Sequence, residues 1–443
     1  MEKTLRDSAG MRWTALLLLA LAMFCSYIFM DILSPIKDLM QETRGWDSTA
    51  FGTMQGSEVF LNVFAFFLIF AGIILDKMGV RFTMLLSTAL MLFGACIKWY
   101  AVSDGFVGSG LEAWFTNNLN YIPLFEELGV SPFYEGMPAS AKFATTGFMI
   151  FGCGCEMAGI TASKALAKWF EGKEMALAMG LEMALARVGV FVIFTISPRL
   201  AGIGGLEPSV VKPVAFCTAL LFIGLLCYSI FCVMDKKFDK QLGAEAAQGE
   251  SEEEFKFSDV INIFKSKLFW IVAMLCVLYY SAIFPFQKFA ANMLQSNLGV
   301  SATMAADIFR WFPIGAACIT PLLGWFLDKK GKGATMLILG SLLMIVCHLT
   351  FALVLPAFPS KIVAYAAIIL LGISFSLVPA SLWPSIPKIM DKRFLGSAYS
   401  LIFWVQNFGL SGTPMLIGWA LEKSNPGVAA QIAAGVEGVS YNY

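Results

Sequence analysis

Chemically reactive and charged side chains are scarce in this sequence. Only 14% of its 443 residues are charged, and His348 is the single histidine. The metalloprotease pattern HExxH, the hydrolase pattern GxSxG and the nucleotide-binding pattern GxxxxGK[ST] are all missing. An enzyme needs a nucleophile with its base, or a set of metal ligands, at one place. The sequence therefore argues against an enzyme, and it implies no metal and no cofactor.

The sequence also lacks an excess of charge and a metal-binding cysteine pattern. Lysine and arginine number 31 and aspartate and glutamate number 31, so the formal net charge is zero and nothing attracts the chain to nucleic acid. The ten cysteines all fall inside apolar segments, with one C-x-C at 153–155 and no spacing typical of a zinc site. We expect them to behave as small apolar residues.

Apolar residues, by contrast, make up 58% of the chain, and the mean hydropathy is +0.73. A soluble protein of this size buries such a composition only with difficulty, whereas a bilayer core of about 30 Å accommodates roughly 20 apolar residues per helix. Apolar segments of that length recur along the whole sequence, which predicts an all-α polytopic membrane protein. The eleven predicted spans are 12–35, 51–75, 81–103, 142–168, 173–197, 210–234, 268–294, 302–327, 333–356, 361–388 and 394–421.

The segments between the predicted spans indicate how the chain is arranged. Residues 104–141 form a long non-membrane loop, and residues 235–266 form a charged linker between two groups of spans. The residues after 421 are too polar and too few for a twelfth span. Lysine and arginine concentrate in the segments that face the cytoplasm when the N-terminus is placed inside. We therefore expect a cytoplasmic N-terminus and a cytoplasmic linker.

A short pattern occurs twice at corresponding positions. Residues 72–81 read GIILDKMGVR after the second span, and residues 324–333 read GWFLDKKGKG after the eighth span. Both copies contain G-x-x-L-D-K-x-G, with Gly72, Asp76 and Gly79 in the first copy and Asp328 in the second. Duplicated halves are typical of secondary transporters, whose substrate sites lie near the midplane between the halves.

The doubled pattern resembles the cytoplasmic signature of the major facilitator superfamily. That resemblance implies a major facilitator fold, with two pseudo-symmetric six-helix bundles that rock about a central cavity. The bundles would comprise residues 1–234 and 267–443, joined by the linker 235–266, and the second bundle would have five helices and lack the twelfth. The resemblance also implies a cytoplasmic gate in which Asp76 and Arg81 form a charge pair that helps to hold the inside closed.

Two opposite charges lie at membrane depth on neighbouring spans. The fourth and fifth spans are joined by KWFEGKE, and Glu156 and Arg187 lie equally far from the apex of this turn. At 1.5 Å per residue both are about 22 Å from the turn, near the middle of the bilayer. A charge at that depth costs about 2.5–3.5 kcal/mol and needs a partner or water. Glu156 and Arg187 either pair with each other or together hold a zwitterion, and the small residues around Glu156 leave room for a helix or a substrate.

Further charged residues lie within or near the predicted spans. Glu182 is expected to face another helix, where a protonatable acid can couple transport to protons. Asp31 either lines the cavity or faces the outer water, and it is another candidate for coupling. Asp307 and Arg310 are three residues apart and are expected to pair, and Asp307 is a further candidate for coupling. Lys288 either binds a carboxylate of the substrate or extends its ammonium toward the membrane surface.

Five longer stretches narrow the resemblance: CSYIFMD, AKWFEGKEMALAMGLEMALARVG, CVLYYSAIFPF, LLGISFSLVPASLWPSIPK and GSAYSLIFWVQNFG. They resemble the branch of the superfamily that includes animal lysosomal dipeptide transporters. The resemblance implies a secondary active or facilitative transporter of dipeptides or similar small zwitterions that works by alternating access. Glu156 would receive the α-amine and Arg187 the α-carboxylate, in agreement with the chemistry of both side chains. Trp383 would pack on the peptide, and Tyr279 and Tyr280 would add wall and hydroxyl contacts or only pack.

Some features depart from that branch. Glu182, Asp307 and Arg310 are additional charges, and they keep open an organic-anion or sugar-type carrier that uses Arg187 and Arg310, with or without coupling to protons. No N-x-S/T glycosylation sequon is present. This favours a bacterial inner membrane over a lysosome, and it implies no glycoprotein accessory subunit. A receptor of similar fold, which binds the ligand without moving it, is a further alternative.

Overall fold

The computed structural model describes residues 5–127, 129–171, 173–242, 263–330, 332–383, 386, 395–436 and 438–443. Within these ranges, the side chains of a few helical residues, Asp328 among them, lie outside the description. Eight of the described helices are long and apolar enough to cross a membrane. Helical structure runs through most of the described residues of all eleven predicted spans, with breaks in the first, the second and the eighth. The chain is therefore an all-helical, multi-pass membrane protein.

The first part of the chain, residues 5–242, forms the N half. Its helices are α1 (Ala9–Met30), α2 (Lys37–Arg44), α3 (Ser48–Gly56), α4 (Phe60–Phe64), α5 (Phe67–Val102), α6 (Gly110–Asn117), α7 (Pro123–Glu127), α8 (Ala139–Phe170), α9 (Met175–Leu200) and α10 (Val211–Leu242). Within it, α1 packs against α9 and α10, and α5 packs against α8 and α10.

Residues 263–443 form the C half. Its helices are α11 (Lys267–Leu298), α12 (Ala302–Phe309), α13 (Trp311–Lys330), α14 (Gly333–Leu349), α15 (Lys361–Leu382), α16 (Leu395–Ser424) and α17 (Val428–Ala433). A π turn at Thr350–Val354 extends α14. Within this half α15 packs against α13 and α14, and α11 packs against α16.

The second predicted span is broken, and its turn into the third depends on one glycine. A 3-10 turn at Ser57–Val59 separates α3 from α4, and Phe66 has a left-handed φ of 53° before α5 begins. Helix α5 contains both the end of the second span and all of the third. The chain reverses between them at Gly79, where φ is 78° and ψ is 169°. Only glycine adopts this conformation without a Cβ penalty.

The two ends of the helix bundle differ. The tail end comprises α2, α6, α7, the turn at 299–301 and residues 425–443; the linker end comprises the turns at 76–81 and 171–174 and residues 235–242. Helix α10 continues to Leu242, so residues 235–242 are helical and the predicted linker begins later than expected. Asp235 and Asp239 are one turn apart there, and Lys168 binds both at 2.8 and 2.5 Å, which holds this last part of the helix against α8.

The predicted loop 104–141 is folded. It contains α6 and α7, and its last residues belong to α8. The buried ammonium of Lys142 donates to the backbone oxygens of Phe115 and Asn118 at 3.1 and 3.2 Å and to the side chain of Asn120 at 2.7 Å. These bonds bind the loop to the tail end of α8.

The N half and C half meet closely at the tail end. A Cβ built on Gly52 or Gly418 would lie 2.2 or 2.1 Å from the backbone oxygen of Pro414 or Ser48, respectively, so α3 and α16 touch backbone to backbone. The backbone N–H of Ser48 also donates to Glu422 at 2.9 Å. The bundle is therefore sealed at its tail end.

Candidate substrate-binding site

The hairpin of α8 and α9 brings Glu156 and Arg187 to one level of the bundle. Glu156 lies 14 residues before the end of α8 at Phe170, and Arg187 lies 12 residues after the start of α9 at Met175. These separations correspond to about 21 and 18 Å along the helix axes, so the two depths agree within about 3 Å. Both side chains are half-buried.

Glu156 faces the C half. The side-chain amide of Asn407, a buried residue of α16, interacts electrostatically with its carboxylate. No cation lies within 4 Å of Glu156 among the described residues. The space beside Gly152 and Gly154 is occupied by neighbouring segments. A Cβ built on Gly152 would lie 1.7 Å from the backbone oxygen of Glu58, and one built on Gly154 would lie 2.4 Å from that of Ser87. The predicted clearance there is used for helix packing.

Arg187 also faces the C half, but it meets aromatic rings there. Its guanidinium carbon lies 4.9 Å from the ring centre of Phe375 and 5.6 Å from that of Phe284. Such cation–π contacts stabilise a cation without neutralising it. In the described part of the chain no carboxylate lies within 4 Å of Arg187, so a static Glu156–Arg187 ion pair is not formed.

The aromatic residues of the C half are joined by hydrogen bonds. The indole N–H of Trp383 donates to the hydroxyl of Tyr280 at 2.9 Å, and the Tyr280 ring stacks on Phe284 with centres 5.7 Å apart. The hydroxyl of Tyr279 donates to the backbone oxygen of Phe375 at 2.7 Å. Tyr279 therefore has a packing role, whereas Tyr280 accepts from Trp383 and keeps its own hydrogen for another acceptor.

Three polar residues of this region are not among those that the sequence predicted: Tyr27, Glu58 and Asn407. Tyr27 of α1 interacts electrostatically with Arg187, Glu182 and Glu156. It lies in the stretch CSYIFMD, four residues before Asp31. Glu58 is an acid inside the second predicted span, so the rule that selected Glu156 could also have selected it. Asn407 carries no charge and gives no comparable signal.

Lys288 and Asp31 are not open to the cavity. This differs from the alternatives that Lys288 binds a substrate carboxylate and that Asp31 lines the cavity. The ammonium of Lys288 lies 2.9 Å from a carboxylate oxygen of Asp31 and 3.8 Å from one of Glu58. The side-chain amide of Gln287 donates to the other Asp31 oxygen at 2.5 Å. Lys288 thus has carboxylate partners within the protein, because closure of the tail end brings α11 against the end of α1.

Asp307 and Arg310 pair as expected, at 2.9 Å. Asp307 is also bound at 2.8 Å by Arg199 of α9, so this cluster joins the two halves at the tail end. Arg310 lies over the rings of Phe191 and Trp311 as well. In this structure Arg310 is therefore engaged in a contact between the halves.

Glu182 lies inside the N half. It interacts electrostatically with Tyr27 of α1 and with the fully buried Tyr228 of α10. Within the described ranges it forms no ion pair. This agrees with the expectation that Glu182 faces another helix.

The residues of the repeated pattern have different partners from the expected ones. Asp76 pairs with Lys164 at 2.8 Å, and Arg81 pairs with Asp235 at 3.2 Å and Asp239 at 2.5 Å. Asp76 and Arg81 do not pair with each other, because the reversal at Gly79 aims them at α8 and α10, respectively. A Cβ on Gly72 would meet nothing within 4 Å. Asp328 lies in α13, and its side chain is outside the description.

No group of three or more His, Cys, Asp or Glu side chains among the described residues could hold a metal ion. The site is therefore made of two opposite charges, several amide and hydroxyl groups and an aromatic wall. Such a site suits binding of a small polar organic molecule.

Comparison with known proteins agrees with this description. The lysosomal dipeptide transporter MFSD1 of Danio rerio is 28% identical over 282 residues, which cover 62% of this chain and 59% of that protein. The Homo sapiens protein of the same name is 27% identical over 285 residues, with 62% and 59% covered. The match thus spans less than two thirds of the length of these relatives.

Two solved structures share the fold. A bacterial homologue of the human lysosomal transporter Spinster, in an inward-facing and occupied conformation, aligns with a TM-score of 0.68 at 16% identity over 97% of this chain and 86% of that one. The inward-open xylose transporter XylE from E. coli aligns with a TM-score of 0.67 at 11% identity over 98% and 96%. The family model described as Major Facilitator Superfamily matches residues 19–414. The chain belongs to the major facilitator superfamily, a family of transporters and not of enzymes.

Proposed function

We propose that the protein transports dipeptides or similar small zwitterions by alternating access. One observation carries the proposal: Glu156 and Arg187 have opposite charges and equal depth, yet neither has an oppositely charged partner within 4 Å in the described chain. Both face the C half, where Asn407 and the Phe375 ring meet them. A substrate with an ammonium and a carboxylate would satisfy both.

The chemistry of the site fits the two ends of a short peptide. A carboxylate is the natural acceptor for an ammonium, and a guanidinium binds a carboxylate through two parallel hydrogen bonds. Charges at membrane depth are costly, so a ligand that neutralises both at once gains affinity from both. The free hydroxyl hydrogen of Tyr280 and the ring of Trp383 would meet the middle of the peptide. The name of the relatives supports this substrate class.

The closed tail end supports alternating access. We infer that the N half, residues 5–242, and the C half, residues 263–443, are the two moving bundles. The positive-inside count supports a cytoplasmic linker end, so this structure would admit substrate from the cytoplasm. Asp76 and Arg81 would hold the gate turn to α8 and α10 inside the N half. A bacterial inner membrane, with only lipid as its partner, is the proposed location.

The test is a thermal-shift titration of the purified protein with four matched probes. Ala-Ala carries both terminal charges, acetyl-Ala-Ala lacks the ammonium, Ala-Ala-amide lacks the carboxylate, and succinate carries two carboxylates. Ligand at 100 times its Kd stabilises the folded state by about 2.7 kcal/mol. We expect the largest rise in Tm with Ala-Ala and smaller rises with the three other probes.

Uptake of labelled Ala-Ala into proteoliposomes then separates a transporter from a receptor. A shift with succinate and none with Ala-Ala would overturn the zwitterion proposal and favour an organic-anion carrier. Binding without uptake would leave a receptor.

A further inference from the structure

We propose that Asp31, Glu58, Lys98 and Lys288 form a proton-binding site that fills when the tail end opens. The inference goes beyond the proposed function and rests on its alternating access, because the site depends on separation of the two halves. It assigns a task to two buried charges, Glu58 and Lys98, that substrate binding leaves unused.

The four charges form a buried cluster below the tail end. Asp31, Glu58, Lys98 and Lys288 are exposed by 1%, 9%, 0% and 6%, respectively. Lys288 lies 2.9 Å from Asp31 and 3.8 Å from Glu58. Glu58 is in the 3-10 turn between α3 and α4, where its backbone touches Gly152 of α8. With all four groups ionised, the cluster is neutral.

The cluster is divided unequally between the halves. Asp31, Glu58 and Lys98 belong to the N half, whereas Lys288 belongs to α11 of the C half. When the halves separate at the tail end, Lys288 leaves with the C half. Two carboxylates and one ammonium then remain, with an excess of one negative charge. Two carboxylates that share one cation disfavour joint ionisation, so one of them takes up a proton.

Lys98 is the cation that remains in the N half, beside Asp31 and Glu58, when the two halves separate. Its ammonium lies 3.7 Å from the ring centre of Phe148 and 5.1 Å from that of Phe29, and it has no hydrogen-bond acceptor among the described residues. A fully buried, unpartnered ammonium is costly. It interacts electrostatically with Glu58 and Asp31, so it can pair with a carboxylate that Lys288 releases.

The titratable groups that face the cluster come from several helices. Glu58 faces Lys288, Asp31, Lys98 and Glu156, and the thiol of Cys155 lies beside it. Lys98 additionally faces the thiol of Cys217. Glu58 is thus the carboxylate between the tail-end ion pair and Glu156 of the candidate substrate site. A proton on Glu58 changes the field at both, which would couple opening of the tail end to substrate binding.

The chemistry favours a proton over a metal cation. A hard metal cation needs several oxygen ligands around it. The ammonium of Lys98 instead rests on aromatic rings, and the Lys288 ammonium lies beside the carboxylates of Asp31 and Glu58. A proton removes the excess charge without further ligands.

The first experiment uses proteoliposomes and the variants Glu58→Gln and Glu126→Gln. The second variant removes an exposed acid of α7 and serves as the matched control. Exchange of labelled for unlabelled Ala-Ala at equal pH on both sides tests the proposed function alone. Net uptake is then measured with the outside one pH unit more acidic. One proton per substrate can drive accumulation by about tenfold under this gradient.

We expect the gradient to drive accumulation by the wild type and by Glu126→Gln. Glu58→Gln should lose this accumulation and retain exchange. If accumulation by the wild type does not depend on the proton gradient, or if Glu58→Gln still accumulates substrate, the proton site is wrong and the proposed function is unaffected. Accumulation driven by a sodium gradient instead also overturns the proton site. Absence of exchange overturns the proposed function.

The second experiment needs no substrate. Spin labels on Thr43→Cys of α2 and Ser301→Cys before α12 report the separation of the halves at the tail end, with the exposed Cys96 replaced by serine. Acidification from about pH 8 to about pH 5, a range that spans the titration of a buried carboxylate, should increase the population of long distances. The same protein with Glu58→Gln should show long distances at both pH values. A distance distribution that does not change with pH in the wild-type cluster overturns the inference.

Discussion

The guanidinium of Arg187 in the N half rests on the ring of Phe375 in the C half, with 4.9 Å from its carbon to the ring centre. A cation of one half is thereby held at the surface of the other without being neutralised. Its level in the bundle is that of Glu156, which faces Asn407. The two charges are in position to receive a ligand, and each contacts a different helix of the opposite half.

Replacement of Arg187 should separate binding from stability. Arg187→Ala removes a cation that forms no ion pair in the described structure, so the free energy of unfolding should change only by the cation–π contribution, about 0.5–2 kcal/mol. Loss of the partner for a substrate carboxylate should cost about 2–5 kcal/mol of binding. Titration of Ala-Ala by thermal shift measures both quantities. If Arg187→Ala does not fold, with or without Ala-Ala, then Arg187 has a structural role instead.

Replacement of Glu156 should remove recognition of the ammonium alone. Glu156→Gln keeps the shape of the side chain and its contact with Asn407. We expect weaker binding of Ala-Ala in this variant, by about 1.5–3 kcal/mol for a hydrogen bond to a charged group. Acetyl-Ala-Ala, which has no ammonium, should bind wild type and variant equally. An equal loss for both peptides would contradict the assignment.

Closure of the tail end should depend on Gly418. A Cβ at this position would lie 2.1 Å from the backbone oxygen of Ser48, whereas a Cβ on Gly412 of the same helix meets nothing within 4 Å. Gly418→Ala should therefore hold the tail end apart and abolish transport, while Gly412→Ala should transport normally. Spin labels at Thr43→Cys and Ser301→Cys should show longer distances in Gly418→Ala. Normal transport by Gly418→Ala would show that the close approach is dispensable.

The turn between the second and third spans should require glycine. Gly79 has a φ of 78° and open space around it, so Gly79→Ala adds backbone strain without a clash. The free energy of unfolding should fall by about 1–2 kcal/mol, the cost of a left-handed conformation for a residue with a Cβ. Gly72→Ala in the same pattern is helical and also has open space, and it should not destabilise. Thermal unfolding of the two variants in detergent compares them directly.

Several features follow from the sequence because they depend on local rules. Span length, the depth of Glu156 and Arg187 and the reversal at Gly79 follow from helix rise, hydropathy and backbone sterics, which act over a few residues. The i,i+3 pairing of Asp307 with Arg310 is of the same kind. The predicted linker begins too early because Asp235 and Asp239 have the pattern of solvated charges, yet Lys168 binds both and keeps them in α10.

The partners of most charged residues depend on the tertiary structure. Lys288 meets Asp31 across 257 positions of sequence, and Arg81 meets Asp235 instead of Asp76. Ion pairs have no sequence period, so spacing cannot choose among acids that are all far away along the chain. Glu58 lies near Lys288 and Lys98, which belong to two other helices. These neighbours cannot be predicted from the segment that contains Glu58.

The sequence by itself determined that this chain crosses a membrane many times, that its halves carry a repeated pattern and that one acid and one base share a depth. These properties come from composition and from the constant rise of a helix. Only the tertiary structure decided that Glu156 and Arg187 do not pair, that Lys288 pairs with Asp31 across the two halves and that Glu58 lies beside that pair. The direction of a side chain around the helix axis, and the helix that it meets, are set by packing between distant segments.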